Sequence, residues 1–212
     1  MQIKSRSIVG GLLAAVVLLV AGAILAWLYY SRIAVPMQQA NAAFDRGEWN
    51  QSQAGYEESL KRLKSPQWLG RVLRTDYQDA LIGNVKTLYA AGEFEEGLTL
   101  LNREAELFPE FVRDPRWLLW AGNLWFRRAV QEEKEIERRE GFTTAVDFFR
   151  KGLEVASDDW DLKFNYELTS IILAQEDPLK REKEEERENR ILPRIRTDQE
   201  RQRRILPPEE RG

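Results

Sequence analysis

The chain has 212 residues, with 32 Lys and Arg against 35 Asp and Glu, so its formal charge is -3. This balance argues against the strongly basic surface that a nucleic-acid-binding protein needs. The chain has no Cys and no His, which excludes disulfides, Cys/His zinc sites and Ser-His or Cys-His catalytic pairs. The composition therefore favours a binding protein that needs no cofactor over an enzyme.

The first element along the chain is an apolar segment, residues 8–30, which contains no charged residue, Asn, Gln or Pro. A helix of that length reaches roughly 34 Å and can cross the hydrocarbon core of a bilayer. Trp27, Tyr29 and Tyr30 stand at its C-terminal end, where a membrane interface favours aromatic residues. We predict a transmembrane helix that contacts lipid over this segment, with residues 1–7 as a short N-terminal tail.

The alternative to an anchor is a cleaved signal peptide, and the orientation rests on a few charges. The nearest small-x-small triplet begins at Ala40, about ten residues past the apolar end, where a signal peptidase would not normally cut. Lys4 and Arg6 precede the segment, and Arg32 and Arg46 are the basic residues in the next twenty. The missing cleavage site predicts an uncleaved, single-pass protein of the inner (plasma) membrane. The excess of basic residues before the segment predicts a cytoplasmic N-terminus and an extracytoplasmic domain, which in bacteria would be periplasmic.

The next region, from Val35 to Gln175, has apolar residues at three- and four-residue spacings and no sustained period of two, which predicts an all-α domain. Prolines that follow a capping residue predict helix starts at Ser65-Pro66, Asp114-Pro115 and Asp177-Pro178. Glycines that precede a new amphipathic run predict helix-helix turns at Gly47, Gly92 and Gly141.

Three stretches of this domain repeat one alternation of large and small residues at identical offsets, as expected where antiparallel helices approach closely. The stretches are Trp49, Ser52, Tyr56 and Ser59; Phe94, Gly97, Leu101 and Glu104; and Phe142, Ala145, Phe149 and Gly152. The pattern resembles the tetratricopeptide repeat (TPR), including Pro109 after the second unit and the run Gly122 to Phe126. The resemblance implies a short TPR-like α-solenoid of three units over residues 35–157, with an irregular helical bundle as the alternative.

The repeat is longer than the usual period of about 34 residues, because Trp49, Phe94 and Phe142 are 45 and 48 residues apart. We predict that the first excess lies between units, over residues 65–76. Most of the second excess fits residues 127–140 and would lengthen the helix that begins near Pro115.

A last helix over residues 158–175 carries apolar residues that would cover the exposed end of the stack, as solenoids require. They are Trp160, Leu162, Phe164, Leu168, Ile171 and Ile172. Within it, residues 161–168 read Asp-Leu-Lys-Phe-Asn-Tyr-Glu-Leu, which is similar to a D-x-K-[FY]-N-x-E signature. That signature is found in membrane-anchored TPR accessory proteins that accompany MoxR-type AAA+ ATPases and von Willebrand factor A proteins, including MxaK-like and aerotolerance factors. A plain capping helix is the alternative.

The end of the chain, residues 176–212, has 22 charged residues of 37 and four prolines, a composition that predicts a charged, largely disordered tail. Its first part, residues 179–190, has the charge spacing of a solvated helix. Two identical tetrapeptides follow, Arg190-Ile191-Leu192-Pro193 and Arg204-Ile205-Leu206-Pro207. They are either docking motifs for a partner or a chance duplication.

The leading hypothesis is a membrane-anchored scaffold or assembly factor that binds other proteins through its helical groove and its tail. The resemblance implies partners such as membrane-complex subunits or a MoxR and von Willebrand factor A system. The alternative is a membrane-tethered chaperone beside the secretion machinery. The predicted groove positions are Asn41, Phe44, Lys86, Tyr89, Asn123 and Phe126. We expect at least one of the three aromatic residues among them to be buried in the core instead of lining the groove.

An enzyme would have to use carboxylates, since the chain lacks the other common catalytic groups. The densest cluster comprises Glu132, Glu133, Glu135, Glu137 and Glu140. Arg and Lys residues alternate with these carboxylates, which is typical of a solvated helix face rather than of a metal or acid/base site. We therefore predict that the protein is not an enzyme.

Overall fold

The computed structural model describes the backbone of residues 2–176 and the side chains of residues 11–66 and 68–176. This part of the chain forms α-helices and one 3-10 helix and contains no strand, so the predicted all-α class is confirmed. The α-helices are α1 (Gln2–Asp45), α2 (Trp49–Lys64), α3 (Gln67–Val72), α4 (Arg74–Ala91), α5 (Phe94–Leu107), α6 (Pro115–Gln131), α7 (Glu135–Val155) and α8 (Trp160–Gln175). The 3-10 helix is Pro109–Arg113. Of the predicted tail, only Glu176 lies within the described residues.

The chain divides into two compact units, residues 1–124 and 125–212, and the boundary falls inside α6. In the first unit α2 packs against both α1 and α4, and α4 packs against α5. In the second unit α7 packs against α8. Successive helices connected by short turns therefore pack against one another within each unit, which is the arrangement that local hydrophobic periodicity favours.

Helix α1 joins the predicted membrane segment and the first helix of the repeat region without a break. It includes Pro36, whose ring removes the backbone hydrogen bond that the carbonyl of Arg32 would accept. The guanidinium of Arg62 in α2 donates to that carbonyl oxygen instead, so the freed acceptor is satisfied. Residues 11–28 of α1 are all exposed, and within the described part of the chain α1 is the helix long and apolar enough to cross a membrane.

Two of the three predicted glycine turns are confirmed, and the third is wrong. Gly47 and Gly92 have φ of +74° and +84°, the left-handed conformation in which glycine ends a helix at little cost. Gly141 instead lies inside α7, where a Cβ would come 2.8 Å from the Cβ of Ala129 in α6. The turn between α6 and α7 is formed by residues 132–134, which include no glycine. Gly141 therefore serves close helix packing and not a turn.

The predicted offsets of the repeated pattern correspond closely to buried positions. Trp49 is half-buried, and the other eleven residues of the three stretches are buried. Glu104 is fully buried, although its place in the pattern favours a small residue. Its carboxylate accepts hydrogen bonds from Lys64 of α2 and Tyr77 of α4 and from the neighbouring Arg103, so a polar cluster replaces the small side chain.

Helix starts follow the capping prediction at one of the two prolines that can be assessed. The carboxylate of Asp114 accepts a hydrogen bond of 2.8 Å from the backbone nitrogen of Arg116, and α6 begins at Pro115 as predicted. Helix α3 begins one residue after Pro66, and Ser65 makes no capping hydrogen bond there. The third predicted start, Asp177-Pro178, lies outside the described residues. Helix α8 is capped by Asp159, whose carboxylate accepts from the nitrogen of Leu162 at 3.0 Å.

The extra residues of the long repeats lie partly where the sequence predicts. The first excess contains α3, between α2 and α4, as expected for an insertion between units. The second excess does not simply lengthen α6, because α6 ends at Gln131 and α7 begins at Glu135. It is divided between the end of α6, the turn and the beginning of α7, because the chain reverses before the glycine and not at it.

Helix α8 only partly fits the predicted role of a cap. Leu162 is fully buried and contacts the backbone position of Gly152 in α7. Trp160, Phe164 and Ile171 are instead more than half exposed, so the expectation that all the apolar residues of α8 cover the stack is wrong. At helical spacing these three residues share one face, and α7 contacts another face of the same helix.

Candidate functional site

A groove of about 470 Å³ opens in the first unit beside α1 and α4 and includes several of the predicted binding positions. It is lined by Met37, Asn41, Phe44, Asp45, Tyr56, Asp79, Ile82, Gly83, Lys86 and Arg116. We call this cavity the α1–α4 groove. It brings together three of the six predicted groove residues, Asn41, Phe44 and Lys86.

The floor of the α1–α4 groove depends on a glycine in α4. A Cβ at Gly83 would lie 2.4 Å from the ring of Tyr56, so no larger residue fits there without moving the ring. The phenol of Tyr56 crosses this gap and donates a hydrogen bond to the side-chain oxygen of Asn41. Burial, and to a lesser degree the charge of Asp45, raises the pKa of Tyr56, so the phenol stays protonated and remains a donor.

The hydrogen bond from Tyr56 decides what Asn41 can offer a ligand. The amide oxygen of Asn41 is occupied, whereas its exposed amide nitrogen keeps two N–H donors. These donors suit a backbone carbonyl, which is the acceptor that an extended peptide presents at every residue. Asn41 is thus held in one orientation by a buried neighbour, which lowers the entropy lost on binding.

Arg116, the first charged residue of α6, forms an ion pair across the mouth of the groove. Its guanidinium donates to Asp79 of α4 at 2.7 Å and to Gln78 at 3.4 Å. Partial burial acts to lower the pKa of Arg116, but hydrogen bonds to Asp79 and Asp114 outweigh it and raise that pKa. With Lys86 and Asp45 the groove carries two charges of each sign, which favours a polar peptide over a strongly charged ligand.

Beyond the groove, Lys86 and Tyr89 of α4 both contact one aromatic residue of α6. The ammonium of Lys86 lies 5.6 Å from the ring centroid of Trp120, and the ring of Tyr89 meets Trp120 edge-on at 5.4 Å. Trp120 is half-buried, so part of its ring remains open to solvent. Asn123 follows one turn later on the same face of α6 and is also half-buried.

The three predicted aromatic groove residues share a structural role. Each is half-buried, so none is a core residue, and each contacts the first large residue of the repeated pattern in its own helix pair. The ring pairs are Phe44 with Trp49 at 5.3 Å, Tyr89 with Phe94 at 5.7 Å and Phe126 with Phe142 at 5.5 Å. Aromatic pairs of this kind are worth about 0.5–1.5 kcal/mol beyond their burial, so these residues stabilise the helix pairs whether or not they touch a ligand.

The remaining predicted residues do not join the α1–α4 groove. Phe126 belongs to the second unit, where its ring contacts Phe142. The two tail motifs, residues 190–193 and 204–207, lie outside the described residues. The acidic cluster of residues 132–140 is divided between the turn before α7 and its first turns, where Lys134 pairs with Glu137 at 2.7 Å. Over the described residues, no group of three or more Asp or Glu is arranged to hold a metal ion.

Among the residues that sequence reasoning did not assign to this site, four make the polar and aromatic contacts described above. Tyr56 was identified only as a packing residue, and Asp79, Arg116 and Trp120 were not identified at all. The signal for Trp120 was present, because it lies three residues before Asn123 and therefore on the same helix face. The pair of Asp79 and Arg116 joins residues far apart in the chain, and no local spacing predicts such a pair.

Comparisons with known proteins leave the site to be interpreted from its own geometry. No family model, curated protein or solved structure matches the chain.

Proposed function

We propose that this protein is a single-pass, membrane-anchored, TPR-like scaffold or assembly factor that binds an extended segment of another protein in the α1–α4 groove. The first part of α1 would be the anchor, since it is apolar and exposed on all sides. The helix pairs would form three TPR-like units, α1 with α2, α4 with α5 and α6 with α7, followed by α8. The repeated aromatic pair in each of them supports this division.

One observation carries the binding proposal: the groove holds an oriented amide and an exposed ammonium close to the same cavity. Asn41 is fixed by Tyr56, and Lys86 extends past Trp120 into the groove lining. Both groups donate hydrogen bonds, and they lie on α1 and α4, two helices that line the same groove, so a peptide backbone bound there could accept from both. The open part of the Trp120 ring would accept an apolar side chain of the same peptide.

A photo-crosslinking experiment tests this proposal in intact cells. A photoreactive amino acid replaces Asp45, which lines the groove, or Asn102, which is exposed on α5 outside it. We expect a discrete crosslinked protein from position 45 and none from position 102. The same crosslink should weaken severalfold when Asn41→Ala and Lys86→Ala are introduced, because the two donors that line the groove are lost.

The matched control replaces Asn102 and Lys151 by Ala, two exposed residues that do not line the groove. This variant should keep the crosslink and the melting temperature of the original chain. Lost stability without a change in crosslinking for the Asn41 and Lys86 variant would contradict the proposal.

The topology is a separate part of the proposal. Lys4 and Arg6 before the apolar segment favour a cytoplasmic N-terminus and an extracytoplasmic domain. A reporter that is active only in the cytoplasm, fused after Gly212, should therefore be silent. A strong signal would reverse the orientation and leave the groove in place.

The partner class follows from the resemblance of residues 161–168 to accessory proteins of MoxR-type ATPases. On that hypothesis the crosslinked protein would be a component of such a system or a subunit of an envelope complex that it matures. A component of the secretion machinery would instead favour the tethered chaperone. The two tail motifs remain a predicted second contact, tested by truncation before Arg190.

A further inference from the structure

The junction between the apolar part of α1 and the helical domain leaves no room for a linker. Every residue from 11 to 28 is exposed, whereas Ile33 is only 2% exposed and already packs in the domain. The apolar segment ends at Tyr30, so fewer than four residues separate it from the first core contact. If α1 crosses a bilayer, the adjoining end of the first unit must lie at the bilayer surface.

The end of α2 returns to the same level as this junction. Arg62 donates to the carbonyl oxygen of Arg32, and Ser59 lies 3.5 Å from the carbonyl oxygen of Ile33. A cavity of about 380 Å³ at this level is lined by residues of both helices, among them Tyr29, Lys61 and Ser65. Because α2 runs antiparallel to α1, its C-terminal end is the part of α2 that faces the membrane side.

Helix α3 begins three residues after the end of α2 and exposes an amphipathic face. Leu69 is buried, and a Cβ at Gly70 would lie 3.0 Å from the ring of Tyr77, so these two residues turn towards the domain. Trp68 and Val72 point away from it and are 62% and 68% exposed. Most of the surface of both residues is therefore left uncovered by the first unit.

The exposed charges around α3 are mainly basic. Arg32, Lys61 and Arg71 are exposed, and none of them forms an ion pair with a described residue. The neighbouring Arg62 and Lys64 are neutralised by Glu58 and Glu104. Trp near a membrane interface and Lys or Arg near anionic headgroups are each favourable, and here both occur on one end of one unit.

We propose that α3 and the end of α2 rest on the membrane that α1 crosses. Trp68 and Val72 enter the interfacial layer, and Arg32, Lys61 and Arg71 bind the phosphate groups of anionic phospholipids. This second contact fixes the direction of the first unit relative to the bilayer, because a single helix alone leaves it free to rotate about the helix axis. The proposal rests on the membrane anchor of the proposed function.

The chain has no Cys, so single spin labels can be introduced into the full protein without removing native thiols. Leu18→Cys reports on the anchor, Val72→Cys on α3, and Ala91→Cys, at the other end of α4, is the aqueous control. Each labelled protein is reconstituted into vesicles of phosphatidylcholine alone or with phosphatidylglycerol. Collision with oxygen, which concentrates in lipid, is compared with collision with a water-soluble nickel complex.

We expect the oxygen-to-nickel ratio at Val72 to exceed that at Ala91 severalfold in vesicles with phosphatidylglycerol, and the ratio at Leu18 to be highest. Lys61→Gln with Arg71→Gln should reduce the ratio at Val72 to its value in phosphatidylcholine. A high ratio at Leu18 with equal ratios at Val72 and Ala91 would overturn this inference and leave the anchor intact. A low ratio at Leu18 would overturn both.

Two further outcomes decide between occupants of this surface. Protection of Val72 from both relaxing agents would indicate contact with a second copy of the chain and would overturn the lipid contact. Equal ratios at Val72 in the two lipid compositions would overturn the assignment of anionic-phospholipid binding to Lys61 and Arg71.

Discussion

Two buried positions with the same place in the repeated pattern have opposite chemistry. Glu104 in α5 and Gly152 in α7 each lie ten residues after the first large residue of their stretch. In the compact unit of residues 1–124, the fully buried carboxylate of Glu104 contacts Lys64 and Tyr77. In the compact unit of residues 125–212, Gly152 has no side chain, and Leu162 of α8 fills the space beside it.

The comparison shows that the pattern specifies burial and not the residue that achieves it. A small residue lets the next helix approach, as Gly152 does with α8. A buried charge is tolerated only where partners neutralise it and saturate its hydrogen bonds. Tyr77 and Lys64 are those partners of Glu104, and their positions in the sequence do not predict the contact.

The largest expected effect on stability comes from removing the buried carboxylate of Glu104. Glu104→Ala should lower the free energy of unfolding by about 4 kcal/mol, because it leaves the buried Tyr77 hydroxyl without an acceptor and creates a cavity. The measurement is urea unfolding of the full chain in detergent, followed by tryptophan fluorescence. Glu106→Ala, at an exposed position of the same helix, should change it by less than about 0.5 kcal/mol.

The apolar side of the comparison is tested on α8. Leu162→Ala should cost about 3 kcal/mol, since Gly152 has no side chain that could move into the space. Phe164→Ala removes a larger side chain but one that is 55% exposed, and its cost should be much smaller. Equal losses for the two variants would mean that α8 buries a different face from the one described.

Local sequence patterns predict much of this fold. Helical class follows from the spacing of apolar residues, and the left-handed turns at Gly47 and Gly92 follow from glycine just before a new amphipathic run. The burial of the repeated positions follows from the alternation of large and small residues. Each of these features is decided by residues a few positions apart, so the chain itself displays them.

Other features depend on partners that are distant in the chain. Gly141 has the sequence context of a turn glycine, and only the approach of Ala129 shows that it serves helix packing. Asn41 and Lys86 were predicted for the groove from repeat geometry, whereas Tyr56, which orients Asn41, was predicted only as a core residue. The ion pair of Asp79 and Arg116 depends on how α4 and α6 pack, which no spacing within either helix determines.

A third prediction compares two glycines of one helix. Gly141→Ala and Gly152→Ala gain the same helix propensity, about 1 kcal/mol, but meet different neighbours. The added methyl group meets the Cβ of Ala129 at 2.8 Å in the first case and the flexible end of Leu162 at 2.6 Å in the second. Because Ala129 has no side-chain torsion that could relieve the contact, Gly141→Ala should be the less stable variant by about 1–2 kcal/mol. Thermal melting of both variants measures the difference, and the reverse order would contradict this account.

The smallest expected effect is a pH dependence of the Glu104 cluster. Burial, then the hydrogen bond and charge of Glu104, raise the pKa of Tyr77 above its ordinary value of 10.0. The unfolded chain therefore loses this proton first as the pH rises, so it binds fewer protons than the folded chain above about pH 10. The contribution of Tyr77 to stability is complete below that pH and falls above it, by at most about 1.4 kcal/mol per pH unit.

Urea unfolding at about pH 9 and about pH 11 should show a steeper loss for the original chain than for Tyr77→Phe, which has no such proton. Tyr56, whose pKa is also raised, remains in both proteins, so the difference in slope isolates Tyr77. Identical slopes would mean that the phenol of Tyr77 ionises as readily in the folded chain as in the unfolded one, and the buried carboxylate would then need another partner.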